Sequence, residues 1–118
     1  MRTMWKSILL YALALMLAGC FGEDEALLRR GVRDVLVEPR RAALIPGFEA
    51  VKQAALDCDA VGASIAGGGP SVFGWFASRE AATRGGEAMR RAFTDASLDS
   101  DVFVSPVRGP RAEVESCR

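Results

Sequence analysis

An α+β domain is what this 118-residue sequence predicts, with helices set apart from a largely antiparallel sheet. Three observations point there. Two short apolar runs, Val61–Ala66 and Val72–Ala77, have strand character and are separated by Gly67-Gly68-Gly69-Pro70-Ser71. Helical periodicity lies on both sides of this pair. Half of the residues are apolar and a quarter charged, an ordinary mixture for one small domain with one modest core.

The N-terminus reads in two ways. Arg2 and Lys6 precede an apolar run from Ile8 to Ala18, and Leu17-Ala18-Gly19-Cys20 has the shape of a bacterial lipobox. On that reading Cys20 carries lipid and the mature chain is a membrane-anchored envelope protein. The same residues also suit a helix of a cytoplasmic protein, with Leu13, Leu17, Leu27 and Leu28 meeting in a helical pair bent at Gly22.

Glu23 to Val37 is predicted as one helix, because Leu27, Leu28, Val32, Val35 and Leu36 recur near a 3.6-residue period. It should stop near Glu38, since Pro39 disfavours helical angles in the residue before it. Arg40 and Arg41 follow. Such a pair is either a solvated surface or an anion hook, arginine being able to grip a carboxylate in a two-pronged fork. Pro46-Gly47 is a break, and a second helix runs from Phe48 to Asp57.

The glycine stretch is longer than a hairpin needs. It is either a flexible hairpin loop or a loop that meets a phosphate. It is not a Walker A motif, because no Gly-Lys-Ser/Thr follows. Nor is it a dinucleotide fingerprint, because a strand rather than a helix comes next. After the second strand, Ser78 is a plausible N-cap for a helix reaching Asp95, with Gly85-Gly86 expected to kink or weaken it. Asp101–Val107 reads as a strand, Gly109-Pro110 as a turn and Arg111–Glu115 as a short last strand.

Composition excludes several functions. Fifteen basic residues balance fifteen acidic ones, which argues against a nucleic-acid surface. Thirteen of the fifteen are arginines, Lys6 and Lys52 being the only lysines. There is no histidine, so the commonest general base and zinc ligand are absent. Cys20, Cys58 and Cys117 form no Cys-x-x-Cys, so no metal site is expected. No residue stands out as catalytic.

Two blocks carry a resemblance. Glu38-Pro39-Arg40-Arg41-Ala42-Ala43-Leu44-Ile45-Pro46-Gly47-Phe48 is similar to the E-P-x-R-x-x-L-I-P-G-F segment of the homoserine kinase family, within the GHMP small-molecule kinases. Ser64-Ile65-Ala66-Gly67-Gly68-Gly69-Pro70-Ser71 is similar to that family's third motif, S-I-S-G-S-G-P-S, in the same order and at a matching separation. The resemblance covers about residues 13–114. It implies a GHMP kinase C-terminal domain at 13–118, ferredoxin-like, with helices on one face of the sheet and an N-terminal helix besides. Residues 1–12 then form an apolar leader or helix start outside the family. Because Ala14–Arg30 resembles the segment that precedes the first block, the resemblance favours a native helix over a signal.

The implied activity is transfer of the ATP γ-phosphoryl group to the homoserine hydroxyl, with Mg2+, in threonine biosynthesis. By the same resemblance Arg41 helps hold the substrate carboxylate, and Gly67, Gly68, Gly69 and Ser71 line the active site. Nothing here matches the family's P-x-x-x-G-L-G-S-S-A phosphate loop, so ATP and Mg2+ are expected to bind poorly to these residues alone. The N-terminal kinase half is the expected packing partner and the cytoplasm the expected location. Ala66 and Gly68 replace residues that are usually hydroxylic or small in the family. A third reading is a small regulatory domain that binds an amino acid through Arg41.

Overall fold

The computed structural model describes residues 4–109. Its first element, helix α1 (Met4–Gly22), is apolar along its length and folds back onto α2 (Glu25–Gly31) through a tight turn. Glu23, not Gly22, takes the left-handed conformation at that turn, with φ 51°. Asp24 caps α2, its carboxylate accepting from the N–H of Ala26 at 2.9 Å and of Leu27 at 3.2 Å. The two helices cross where side chains are small. Gly19 lies against Leu28, and Gly31 against Met16 and the Ala12 carbonyl. Leu13 and Leu17, expected in this contact, are instead 53% and 51% exposed.

Helix α2 ends at Gly31, six residues before the predicted Val37. The reason lies in Asp34, whose carboxylate takes the N–H groups of Leu36, Val37 and Glu38 and so starts a new element. That element is α3 (Glu38–Arg41), continued by one 3-10 turn over Ala42–Leu44. Pro39, expected to end a helix, sits in the first turn of one, where its missing N–H costs nothing. Gly47, at φ 75°, turns the chain into α4 (Phe48–Asp57), with the predicted boundaries.

Strands β1 (Gly62–Ile65) and β2 (Val72–Trp75) pair antiparallel, Gly62 facing Trp75 and Ile65 facing Val72. Helix α5 (Arg79–Asp95) begins at Ser78, whose Oγ accepts from the Ala81 N–H at 3.1 Å, as predicted. Helices α4 and α5 pack on each other and on the hairpin. The core between them holds Val51, Ala55, Ala60, Ala63 and Met89, with Leu56, Val72, Phe76 and Phe93 at its edge. Small residues at the centre let helices and hairpin approach closely, and the aromatic rings fill the margins. Phe73 is exposed, whereas Trp75 and Phe76 are half-buried.

The fold is α+β, as predicted, but the sheet is smaller than predicted. Two strands are found among the described residues. Asp101–Val107 forms none: it carries Phe103 at 90% exposure and joins no described ladder, and Pro106 cannot donate to one. Arg111–Glu115 lies outside the described residues.

Nor is α5 broken at Gly85-Gly86; it is one continuous helix. Both glycines serve close approach. A Cβ on Gly85 would clash with Cζ of the Phe76 ring, and one on Gly86 would meet a Val102 methyl at 2.7 Å. Gly85→Ala therefore sets two effects against each other. Helix propensity favours alanine by about 1 kcal/mol, while overpacking costs about 1–3 kcal/mol. We expect net destabilisation with loss of Phe76 packing, measured by urea unfolding. A stabilised variant would show that the ring moves aside freely.

Candidate functional site

The site grows from α3 and the loop that joins the two strands. Asp34 holds the start of α3 with three backbone N–H groups, at 2.8 Å from Leu36, 2.9 Å from Val37 and 3.2 Å from Glu38. Burial raises the Asp34 carboxyl, but the N–H groups of Val37, Leu36 and Glu38 and the Lys52 charge outweigh it. The pKa lies below the ordinary 3.8.

Glu38 follows, and it is 7% exposed. One carboxylate oxygen is paired with the Lys52 ammonium from α4. The other accepts from the Ser64 hydroxyl of β1 at 2.6 Å. Ser64 is itself buried. One turn on, the Arg41 guanidinium donates from Nη1 to the carbonyl of Gly68 at 2.9 Å. The two sequence blocks, far apart in the chain, are thus joined by two side-chain hydrogen bonds, one buried and one exposed.

The loop beyond β1 is a closed turn. The Ala66 N–H donates to the Ser71 carbonyl at 2.8 Å, and the Gly69 N–H to the Ala66 carbonyl at 3.1 Å. Gly67 and Gly69 have φ of 58° and 78°, the left-handed region that glycine enters without strain. Gly69 also lies within van der Waals reach of Ile45, which follows the α3 segment. Ser71 is exposed and lines a groove of about 800 Å³ shared with Ile45, Phe73 and Val102. Arg41 is outside that groove.

Of the predicted site residues, the structure brings Arg41 together with Gly68 and its loop neighbours. Cys20 is elsewhere, exposed near the end of α1. Glu38, Ser64, Lys52 and Asp34 were not singled out by sequence reasoning. A signal did exist for three of them: Glu38 and Ser64 stand in the matched blocks, and Lys52 is one of two lysines in an arginine-rich chain. The described residues hold no group of three or more His, Cys, Asp or Glu side chains placed for a metal. The loop's Ala66 and Gly69 amides are used within the turn. Mg2+ takes oxygen ligands, and the buried Glu38 carboxylate has both of its oxygens engaged by Lys52 and Ser64, so these residues do not hold the metal by themselves.

The class of protein follows from this fold and from its matches. The chain belongs to the GHMP kinase family, the model for the family's C-terminal part matching residues 10–95. That match runs through Leu17–Cys20, the stretch with the lipobox shape. Within the class, the relatives are homoserine kinases, as the two blocks implied. The chain is 57% identical over 102 residues to the homoserine kinase of Xylella fastidiosa strain M12, covering 86% of this chain and 32% of that one. It is 55% identical over 102 residues to that of Xanthomonas campestris pv. campestris strain B100, with the same coverage. The crystal structure of homoserine kinase from Cytophaga hutchinsonii superposes with a TM-score of 0.77 at 46% identity, over 81% of this chain and 30% of that one. The chain therefore spans about a third of the length of the relatives it matches.

Asp34 provides a test of how α3 is held. A carboxylate with a depressed folded pKa stabilises the fold above its unfolded value, and that contribution is lost as pH falls through the folded one. Asp34→Ala should cost about 1 kcal/mol at neutral pH, as for loss of a helix cap. The difference from wild type should shrink as pH drops below 3.8. Chemical denaturation at a series of pH values checks this; a gap that persists unchanged into strong acid would mean the charge is unimportant.

Proposed function

We propose that these residues form the substrate-carboxylate side of a homoserine kinase active site, which acts with the N-terminal kinase half present in the relatives. The observation that carries this is the contact between the Arg41 guanidinium and the Gly68 carbonyl, which seats the arginine of the first block on the glycine loop of the second. One Nη1–H serves the loop. The remaining guanidinium donors suit a substrate carboxylate, which arginine binds in a two-pronged geometry.

In the proposed reaction the homoserine hydroxyl oxygen bonds to the γ-phosphorus of ATP and the bond to the β-phosphate oxygen breaks. The products are ADP, phosphohomoserine and the hydroxyl proton. ATP supplies the phosphoryl group, and the charge that neutralises it comes from outside these residues. The present residues supply position: Arg41 fixes the amino-acid end of the substrate, and Gly67, Gly68, Gly69 and Ser71 wall the site. With backbone at Ala66 and Gly68 where hydroxyl groups could donate, the loop contributes shape more than hydrogen bonds.

On this reading the protein works in the cytoplasm, and the N-terminal kinase half packs against apolar surface exposed here, such as Leu13, Leu17 and Phe21 of α1. Helix α1 is, at 19 residues, also long and apolar enough to cross a membrane. Metabolic labelling with a fatty acid separates the two: label on Cys20 in a lipoprotein-competent host would support an anchor instead.

Two kinetic outcomes are expected. The 118-residue chain alone should not phosphorylate homoserine with Mg-ATP, because it contains no phosphate-loop segment. Turnover by it would refute the division of labour. Joined to the N-terminal two thirds of the Xylella fastidiosa enzyme, it should turn over, and Arg41→Ala should raise the homoserine KM about 100-fold, as for loss of a charge-assisted pair. An unchanged KM would remove Arg41 from the substrate site.

A further inference from the structure

We infer that Glu38 is a positioning residue whose buried carboxylate sets Arg41 against the glycine loop. Two contacts join the same pair of segments. Glu38 and Arg41 are three residues apart on α3; Ser64 and Gly68 are four apart on β1 and its loop. The inner contact is Ser64 Oγ–H to Glu38 Oε2 at 2.6 Å, and the outer one is Arg41 Nη1–H to the Gly68 carbonyl at 2.9 Å.

The two differ in environment, and that difference assigns their order of dependence. Arg41 is exposed and its side chain has several rotatable bonds, so one neutral acceptor in water does not fix it alone. Glu38 and Ser64 are 7% and 6% exposed, and both oxygens of the carboxylate are occupied, the second by Lys52 of α4. A charge-assisted bond in that environment is short and strong, and breaking it leaves a buried charge without its partner. The Glu38 backbone N–H is held too, by Asp34 at 3.2 Å. Glu38 thereby fixes α3 to β1 and α4 together, and Arg41 leaves the same short helix one turn later. The Arg41 amide bonds back to the Val37 carbonyl at 3.1 Å, so the backbone link between the two residues is itself closed.

The role of Arg41 toward substrate rests on the function proposed above; its placement by Glu38 does not. The two are tested separately. The first measurement needs no substrate: 15N NMR of the guanidinium of Arg41 and of the loop amides in the full 118-residue chain. In wild type the Arg41 guanidinium should show restricted rotation. In Glu38→Gln, which keeps shape and loses charge, and in Ser64→Ala, which removes only the inner contact, it should rotate freely, with shifts moving at Gly67, Gly68 and Gly69. Unchanged guanidinium rotation and loop shifts in either folded variant would overturn the proposal. Ser64→Ala keeps the test sharp if Glu38→Gln fails to fold.

The second measurement is a double-mutant cycle in the fusion with the Xylella fastidiosa N-terminal part. Glu38→Gln alone should raise the homoserine KM about 10-fold while changing the KM for ATP less than 2-fold, as expected of a residue acting through Arg41. Added to Arg41→Ala it should raise it no further. A further rise of equal size would show that Glu38 acts independently of Arg41. If Arg41→Ala itself leaves KM unchanged while the NMR result holds, the substrate assignment fails and the positioning contact stands.

Discussion

A carboxylate with almost no access to water is the constraint around which the structure is arranged. Glu38 cannot be left alone: an ionised carboxylate taken out of water loses several kcal/mol of hydration unless partners replace it. Lys52 and Ser64 replace it from two different elements. The carboxylate therefore does what an apolar contact cannot. It specifies which way round α3, α4 and β1 meet, because only one arrangement puts an ammonium and a hydroxyl on its two oxygens. An apolar residue of the same size would tolerate a rotation of α3, and with it a displacement of Arg41. The surrounding packing is permissive by comparison, since the central core residues Ala55, Ala60 and Ala63 are small and carry little shape information.

Around that anchor, small residues govern how close the elements come. Gly85 admits the Phe76 ring between α5 and β2, and Gly62 admits Val32 against β1. Through the second contact the N-terminal helical hairpin is tied to the sheet, and Arg29 reinforces it by donating from Nη1 to the Ala60 carbonyl at 2.7 Å. The hairpin therefore touches the start of β1 while Glu38 holds its far end. Arg29 thus holds the chain two residues before this four-residue strand and Glu38 holds its third residue, Ser64, so the glycine loop leaves from a fixed base.

Much of this was legible in sequence, and the exceptions have physical causes. Helix α4, both strands and the Ser78 cap could be read because each leaves a local signal: periodicity, a short apolar run bounded by turn residues, or a capping hydroxyl. The long helix over Glu23–Val37 was misread because Asp34 makes a turn with its side chain, which competes with the helix without disturbing the apolar pattern. Gly85-Gly86 was misread because propensity counts the cost of a glycine and cannot see the ring that occupies its space. The expected strand over Asp101–Val107 has strand composition, yet a strand exists only with a neighbour, and neighbours are a property of the whole fold. In the candidate site, the paired blocks singled out Arg41 and the glycines, which the structure brings into contact. Glu38 and Ser64 lay in the same blocks and were passed over, because a buried acid–hydroxyl contact across twenty-six positions leaves no local periodicity.

The relation between loop and anchor also limits what the loop can do. Its Gly68 carbonyl is an acceptor and already faces the Arg41 donor. Its Ala66 and Gly69 amides are donors and already close the turn. Two of the five backbone N–H groups over Ala66–Ser71 are thus used within the turn, and the loop leads into a strand rather than opening a helix that directs a row of N–H groups at one point. What the loop retains is a short, glycine-sized wall that lets another object approach. A wall is useful only if its position is fixed relative to the group that grips the substrate. On the reading proposed above α3 supplies that group and β1 the wall, so the buried contact that registers one against the other, Glu38 to Ser64, bears on both.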